Sequence, residues 1–181
     1  MKTRNGFVQG FNAQLVVSDD HLIVAADVTD NAADHDSYEP MVAAAVATAE
    51  TVFGTTIGCV LADAGYCSEA NLTVEGPNRL IATGSRRTLQ DNVKDDAADI
   101  DSSPPDSTKL AQMKALLATP DGHRAYTRRG AVVEPVNGHL KDRRRLRQFS
   151  RRGLAAAKGE LHLAAAVTNL ARLFTMTAVT A

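Results

Sequence analysis

The sequence contains no tryptophan, and only 4% of its residues are aromatic, although 44% are hydrophobic. A chain of 181 residues with this hydrophobic share is long enough to form a domain with its own core. Because aromatic side chains are scarce, that core has to be built from aliphatic residues and alanine, which bury less area per residue. The composition therefore predicts a globular fold of modest stability and argues against disorder throughout the chain.

Cysteine is also scarce, with Cys59 and Cys67 as its two occurrences. Two cysteines provide neither a disulfide framework nor a four-cysteine metal site, so we expect a reducing cytoplasm and two thiols buried as small apolar side chains. No apolar run approaches the roughly 20 residues that a membrane-spanning helix needs. The start at Met1 also lacks a basic and then apolar leader. The sequence thus predicts a soluble protein without a membrane partner.

The formal net charge of −1 conceals an uneven distribution of charge along the chain. Residues 1–122 contain 8 Lys and Arg against 18 Asp and Glu, whereas residues 123–181 contain 12 against 3. Basic charge concentrated in one segment is typical of a surface that binds phosphate groups. A basic face that is merely solvated is the alternative interpretation of this pattern.

Hydrophobic periodicity predicts a mixture of strands and helices. We expect a β-hairpin over Gly6–Asp27, a helix up to Glu50, strands at Cys59–Ala62 and Arg79–Thr83, and a helix over Lys158–Phe174. The uninterrupted apolar run Cys59–Ala62 is typical of a strand buried on both faces. Along the last helix, the residues expected to pack on a sheet are Leu161, Ala164, Ala165, Thr168 and Leu173.

Three parts follow from these elements. Residues 1–83 are predicted to form a partial α/β core, residues 84–122 an acidic flexible insertion with one helix, and residues 123–181 a basic helical part. Within the last part, Pro135 either starts a helix or kinks one that began near Ala125, because proline removes a hydrogen bond from a helix interior.

Two acids stand out within this framework. Asp63 directly follows the strand Cys59–Ala62, and ligands of open α/β sheets gather where strands end; a strand-terminating Asp in a turn is the alternative. Glu134 is a lone carboxylate in a basic surface, which suggests metal and phosphate. Seven residues of α-helix make about two turns, so Glu134 and Lys141 are expected to face the same way. For Asp27 and for Asp34–Asp36 we favour structural roles, a strand end and a capped helix entrance, over metal binding.

Several blocks resemble, in family order, the C-terminal part of the catalytic domain of DDE-type transposases from bacterial insertion sequences. They are Gly6–Gln14, Ala25–Asp30, Asp63–Tyr66, Val133–Lys141, Arg152–Gly153 and Asn169–Leu170. The resemblance implies an α/β, ribonuclease H-like mixed sheet flanked by helices. It also implies two Asp and one Glu that hold two divalent metals for DNA cleavage and joining.

The resemblance assigns roles to individual residues. Asp63 matches the second acid, Glu134 the third and Lys141 the lysine that follows, so catalysis is expected from these three and Mg²⁺ binding from Asp63 and Glu134. The first Asp has no counterpart, and we expect a truncation that removes the first strand and leaves little or no transposase activity. DNA is expected to contact Arg124, Arg128, Arg129, Arg143, Arg144, Arg145, Arg147, Arg151 and Arg152.

A second hypothesis is a regulatory remnant that binds DNA or full-length transposase without performing chemistry. A third is an unrelated ribonuclease H-like nuclease, which would cleave DNA without joining it. Under the transposase interpretation, the expected partners are DNA and either full-length transposase or another copy of the chain. The expected location is the cytoplasm, in association with the nucleoid.

Overall fold

The computed structural model describes residues 2–3, 6–7, 10–84 and 108–179. The strands are β1 (Lys2–Thr3), β2 (Gly6–Phe7), β3 (Asn12–Val17), β4 (Ile23–Thr29), β5 (Cys59–Ala62) and β6 (Asn78–Ile81). The α-helices are α1 (Tyr38–Phe53), α2 (Glu69–Thr73), α3 (Lys109–Ala118), α4 (Pro120–Gly138) and α5 (Leu154–Val179). Small sheets and helices alternate along the chain, which confirms the predicted α/β class.

The chain divides into two compact units. Unit 1 consists of Met1–Ala33, Pro40–Thr55 and Gly130–Ala181, and unit 2 of Asp34–Glu39 and Thr56–Arg129. The strands form three two-stranded ladders, β1–β2, β3–β4 and β5–β6, among the residues that the structure describes.

Unit 1 is built around an antiparallel hairpin of β3 and β4. Asn12 pairs with Thr29 at one end and Val17 with Ile23 at the other, with a register shift at Val16 and Val17. The predicted hairpin is confirmed, although its first strand begins at Asn12 instead of Gly6. A short antiparallel ladder of β1 and β2 precedes it.

Helix α5 packs on the hairpin and closes the core of unit 1. Its buried residues are Ala157, Leu161, Ala165 and Thr168, and they share the core with Ile23 and Val28 of β4 and with Val136 and Leu140. The predicted packing residue Leu173 is instead 42% exposed. The packing face continues to Arg172, whose Nε donates to the Asp20 carbonyl (2.9 Å), and Leu173 lies about 100° further round the helix.

Side chains of α5 also bind the backbone of β4 over long sequence separations. The Asn169 amide pairs with both backbone groups of Ile23 (2.8 Å each), and His162 Nε2 donates to the Ala26 carbonyl (2.9 Å). Lys158 Nζ lies 2.8 Å from Asp27 Oδ1. Asp27 therefore lies inside β4 as an ion-pair partner, and its interpretation as a strand-end residue is wrong.

Unit 2 contains the parallel pair β5 and β6, in which Cys59 aligns with Asn78 and Ala62 with Ile81. The prediction that β5 is buried on both faces is wrong, since Cys59 is exposed and Val60 and Leu61 are half-buried. Within the described part of the chain, β5 pairs with one strand alone. The prediction that both thiols are buried is also wrong, because Cys59 is exposed and Cys67 is half-buried in the turn after β5.

Helix α3 corresponds to the helix predicted between residues 84 and 122. The Thr108 side chain caps it by accepting from Ala111 N (3.3 Å), and Met113 and Leu117 are buried. Residues 85–107, which carry most of the predicted acidic insertion, lie outside the described residues.

Helix α4 begins at Pro120 and contains Pro135 in its interior. Proline suits the first turn of a helix, where a missing N–H costs nothing, but in the interior it removes a donor. The helix then passes into a π-turn at His139–Arg143, in which Arg144 N donates to the His139 carbonyl (3.1 Å). Of the two possibilities for Pro135, a start or an interior position, the structure has the second, with a helix that begins five residues before Ala125.

Candidate functional site

Glu134 lies on an exposed stretch of α4 in unit 1. Two residues earlier, the Val132 carbonyl accepts a hydrogen bond from His21 Nδ1 (3.0 Å), and two residues later Val136 is 4% exposed in the core. These contacts fix the helix on both sides of Glu134, which is itself exposed.

Lys141 lies in the π-turn, directly after the buried Leu140, and its side chain is exposed. In a π-turn, hydrogen bonds span five residues, so each residue advances by less than the 100° of an α-helix. Part of the path from Glu134 to Lys141 follows this wider geometry. The predicted common direction of the two side chains therefore does not follow from their seven-residue spacing.

The basic loop, residues 143–153, follows Lys141 and carries six of the predicted DNA-binding arginines. Arg143, Arg145, Arg147, Arg151 and Arg152 are exposed, whereas Arg144 is half-buried. Arg144 reaches the Thr168 hydroxyl (3.4 Å) and the Val167 carbonyl (3.3 Å) on α5, and Arg147 pairs with Asp142. The loop thus combines arginines that are engaged within unit 1 with arginines whose side chains extend into solvent.

The backbone of the basic loop is held at several points. Arg145 adopts a left-handed conformation (φ 57°), which costs a residue with a Cβ about 1 kcal/mol and has to be offset by surrounding contacts. Phe149 packs edge-on against Phe11, with 6.1 Å between ring centroids. Glu160 of α5 accepts from Ser150 N (2.8 Å), Ser150 Oγ (2.7 Å) and Arg151 N (2.8 Å). The hydrogen bonds from Ser150, side chain first, lower the pKa of Glu160.

In unit 2, Asp63 directly follows β5, as predicted, and begins the Asp63 turn, residues 63–66. Its Oδ1 accepts from Gly65 N (3.1 Å), which caps the 3₁₀ turn Ala64–Tyr66. Its Oδ2 lies 3.8 Å from Arg129 Nη1, and 48% of the Asp63 side chain is exposed. The carboxylate is therefore accessible and is also next to a cation.

Arg129, one of the predicted DNA-binding residues, is three quarters buried in unit 2. Its guanidinium lies 5.5 Å from the centroid of the Tyr126 ring, and its Nε is buried without a hydrogen-bond partner. The nearby Arg124 and Arg128 are exposed, and Arg124 pairs with Asp121 at 3.6 Å. Of these three arginines, Arg129 is the one that contacts Asp63.

Asp34 lies beside Gly65 of the Asp63 turn, and sequence reasoning missed this contact. A Cβ placed on Gly65 would lie 2.6 Å from Asp34 Oδ2 and 3.2 Å from Asp63 Oδ1, so the two carboxylates flank the glycine. Burial raises the pKa of Tyr66, and the charges of Asp34 and Asp63 raise it further. Asp34 is the N-cap residue of the 3₁₀ turn at His35 and makes no side-chain cap hydrogen bond to that turn.

A divalent metal fits this chemistry only in part. Carboxylate oxygens suit Mg²⁺, and Asp63 is accessible to it. However, Arg129 already neutralises Asp63, and the described side chains contain no group of three or more His, Cys, Asp or Glu that could hold a metal ion. Asp63 belongs to unit 2 and Glu134 to unit 1. The described residues do not assemble a metal centre, and we derive no reaction step through one.

Comparison with known families gives a match for part of the chain. The family described as "Transposase DDE domain" matches residues 92–174. This segment is similar to a DDE-type transposase domain. The DDE match includes Glu134, Lys141 and the basic loop, whereas Asp63 precedes it. No curated protein and no solved structure matches the chain.

The match to a transposase DDE domain suggests a function related to DNA transposition. Transposases of this family typically use a divalent metal. Among the helices of the described residues, none combines the length and the apolar character needed to cross a membrane.

Proposed function

We propose that the chain acts in DNA transposition as part of a ribonuclease H-like DDE catalytic domain, and that the basic loop binds the DNA backbone. The observation that supports this most strongly is the exposure of Arg143, Arg145, Arg151 and Arg152 within the segment that matches the transposase family. Guanidinium groups suit phosphate because their planar donors match its oxygens.

The arginines of the loop are expected to contribute unequally. Arg144 and Arg147 already have partners on α5 and at Asp142, so binding phosphate would require them to exchange these contacts. Exposed arginines without such anchoring lose less on binding. Contacts to phosphate carry no sequence information, so we expect affinity that depends steeply on salt and little on DNA sequence.

We further propose the reaction-centre roles that the family resemblance implies. Asp63 and Glu134 would be Mg²⁺ ligands, and Lys141 would contact a phosphate beside the reacting bond. Arg124 and Arg128 are exposed in unit 2 and would contact phosphate groups there, whereas Arg129 would stay with Asp63. The chain would then act at the nucleoid, with DNA and with another transposase chain as partners.

DNA binding is tested by comparing two double variants that remove equal charge. R143A/R145A changes the basic loop, and K109A/K114A changes exposed lysines of α3 in unit 2. We expect R143A/R145A to weaken binding to a duplex by about tenfold or more at low salt and to reduce the salt slope by about two, because each phosphate contact contributes about one. K109A/K114A should change the affinity and the salt slope only slightly. Equal effects of the two variants, or no binding by the unaltered protein, would contradict the proposal.

Chemistry is tested separately by a strand-transfer assay with Mg²⁺, in which Glu134→Gln serves as the control. Activity that this substitution abolishes would support the catalytic role. DNA binding without activity would instead favour the regulatory function, in which the chain binds DNA or a full-length transposase without cleaving.

A further inference from the structure

The basic segment of unit 1 contains an acid whose position charge alone does not explain. Glu160 lies at the first turns of α5, close in sequence to Arg151 and Arg152. A carboxylate beside a surface that binds phosphate opposes that binding by Coulomb repulsion. Its presence therefore calls for a compensating role.

Both oxygens of the Glu160 carboxylate bind the basic loop. Oε2 accepts from the Ser150 amide (2.8 Å), and Oε1 accepts from the Ser150 hydroxyl (2.7 Å) and the Arg151 amide (2.8 Å). Hydrogen bonds to an ionised acceptor are about twice as strong as neutral ones. Two of the three donors are backbone groups, so Glu160 fixes the path of the chain itself.

Asp142 provides an internal contrast within the same segment. It pairs with the side chain of Arg147, and both partners are well exposed, at 62% and 70%. Such a pair neutralises an arginine but leaves the backbone unrestrained. The two acids therefore act on the basic loop in different ways.

The other end of the loop is held by backbone contacts instead. Arg144 N donates to the His139 carbonyl (3.1 Å), and Leu146 N donates to the Leu140 carbonyl (3.0 Å). The strained Arg145 lies between these two points. Glu160 supplies the corresponding restraint at the end that carries Arg151 and Arg152.

We propose that Glu160 is a positioning residue of the DNA-binding surface, which fixes the backbone at Ser150 and Arg151 so that Arg151 and Arg152 are presented to phosphates. This inference rests on the proposed function, since it assumes that the basic loop binds DNA. It predicts an effect of opposite sign to simple electrostatics. Removal of this acid lowers the affinity for DNA, although the surface becomes more positive.

The test compares Glu160→Gln with Asp142→Asn, which remove the same charge from the same segment. We expect E160Q to weaken duplex binding by about threefold to tenfold at low salt, the loss of one or two phosphate contacts, and D142N to leave it unchanged or tighten it. Ser150→Ala changes no charge and removes one of the three donors, so it should weaken binding in the same direction by less. Equal or tighter binding by E160Q would overturn the inference.

Amide hydrogen exchange at Ser150 and Arg151 gives a readout that does not involve DNA. Exchange should accelerate in E160Q and stay unchanged in D142N, while thermal melting verifies that both variants fold. If the unaltered protein binds no DNA, the proposed function fails and exchange still reports whether Glu160 fixes the loop. If DNA binds and exchange in E160Q is unchanged, the positioning role fails by itself.

Discussion

The basic loop and the Asp63 turn are each contacted by one helical side chain of opposite charge, Glu160 and Arg129 respectively, but the two contacts differ. In the loop, Glu160 accepts hydrogen bonds of 2.7–2.8 Å from the Ser150 and Arg151 amides and the Ser150 hydroxyl. At the turn, Arg129 lies 3.8 Å from the Asp63 carboxylate, in an ion pair between two side chains. The acid of the loop restrains backbone, whereas the base of the turn neutralises charge.

This difference suggests what each region requires. When several separate arginines bind phosphates, the affinity depends on where the backbone places each arginine. A contact that restrains the backbone therefore favours binding. A carboxylate that binds a cation has to be accessible to solvent, and the local electrostatic potential has to remain favourable for a cation. Asp63 is 48% exposed, which gives access to a cation, whereas the neighbouring Arg129 guanidinium competes with a second cation for the carboxylate.

The largest effect is expected from Gly65→Ala, which breaks the turn and leaves the loop intact. The added Cβ would lie 2.6 Å from Asp34 Oδ2, a separation that forces one carboxylate to move. We expect a loss of about 1 kcal/mol in the free energy of unfolding, at the low end for overpacking because the Asp34 side chain can rotate away. Chemical denaturation measures it, and Gly58→Ala, where nothing lies within 4 Å, is the control. Equal stability of the two variants would show that Asp34 does not need the space at Gly65.

A smaller effect separates charge from geometry by two substitutions that each preserve charge. Arg129→Lys keeps a cation near Asp63 and should change the free energy of unfolding by less than about 1 kcal/mol. Glu160→Asp keeps an anion but shortens the side chain by one methylene, so it should lose the amide contacts and speed exchange at Ser150 and Arg151. If the two variants showed the same change in the free energy of unfolding and in amide exchange, the distinction between backbone restraint at the loop and charge pairing at the turn would be contradicted.

The smallest effect concerns pH. Hydrogen bonds from Ser150 lower the pKa of Glu160 in the folded protein below its ordinary value of 4.5. Because the pKa of Glu160 is lower in the folded than in the unfolded protein, its ionised carboxylate stabilises the loop fully at a pH above the unfolded pKa. This stabilisation is lost as the pH falls through the folded pKa. Protection of the Ser150 and Arg151 amides, corrected for intrinsic exchange, should therefore persist at pH 5 and disappear at more acidic pH. Loss of protection at neutral pH would contradict the assignment.

Local pattern was sufficient to predict several elements. Alternation predicted the β3–β4 hairpin, and the apolar run at Cys59–Ala62 predicted β5 and the position of Asp63 at its end. These features depend on neighbours in sequence. The boundaries were less predictable, because Asn12 and Thr29 end the hairpin where pairing ends and not where the pattern does.

What was missed depends on contacts between distant residues. Asp34 meets Gly65 across about thirty residues, and no property of either residue alone indicates the other. Lys158 pairs with Asp27 over 131 residues, so the acid appeared to be a strand end. The π-turn was missed because periodicity cannot distinguish an α-turn from a wider one over five residues.

The π-turn at His139–Arg143 accommodates one residue more than an α-helical turn would. Deleting a residue there would let α4 continue with regular hydrogen bonds, and each later side chain would be swung by about 100° around the helix axis. Leu146 and Phe149 would then leave the core of unit 1 that they now cover. The extra residue sets the direction in which the chain leaves the helix. The direction of the arginines that follow depends on this exit direction.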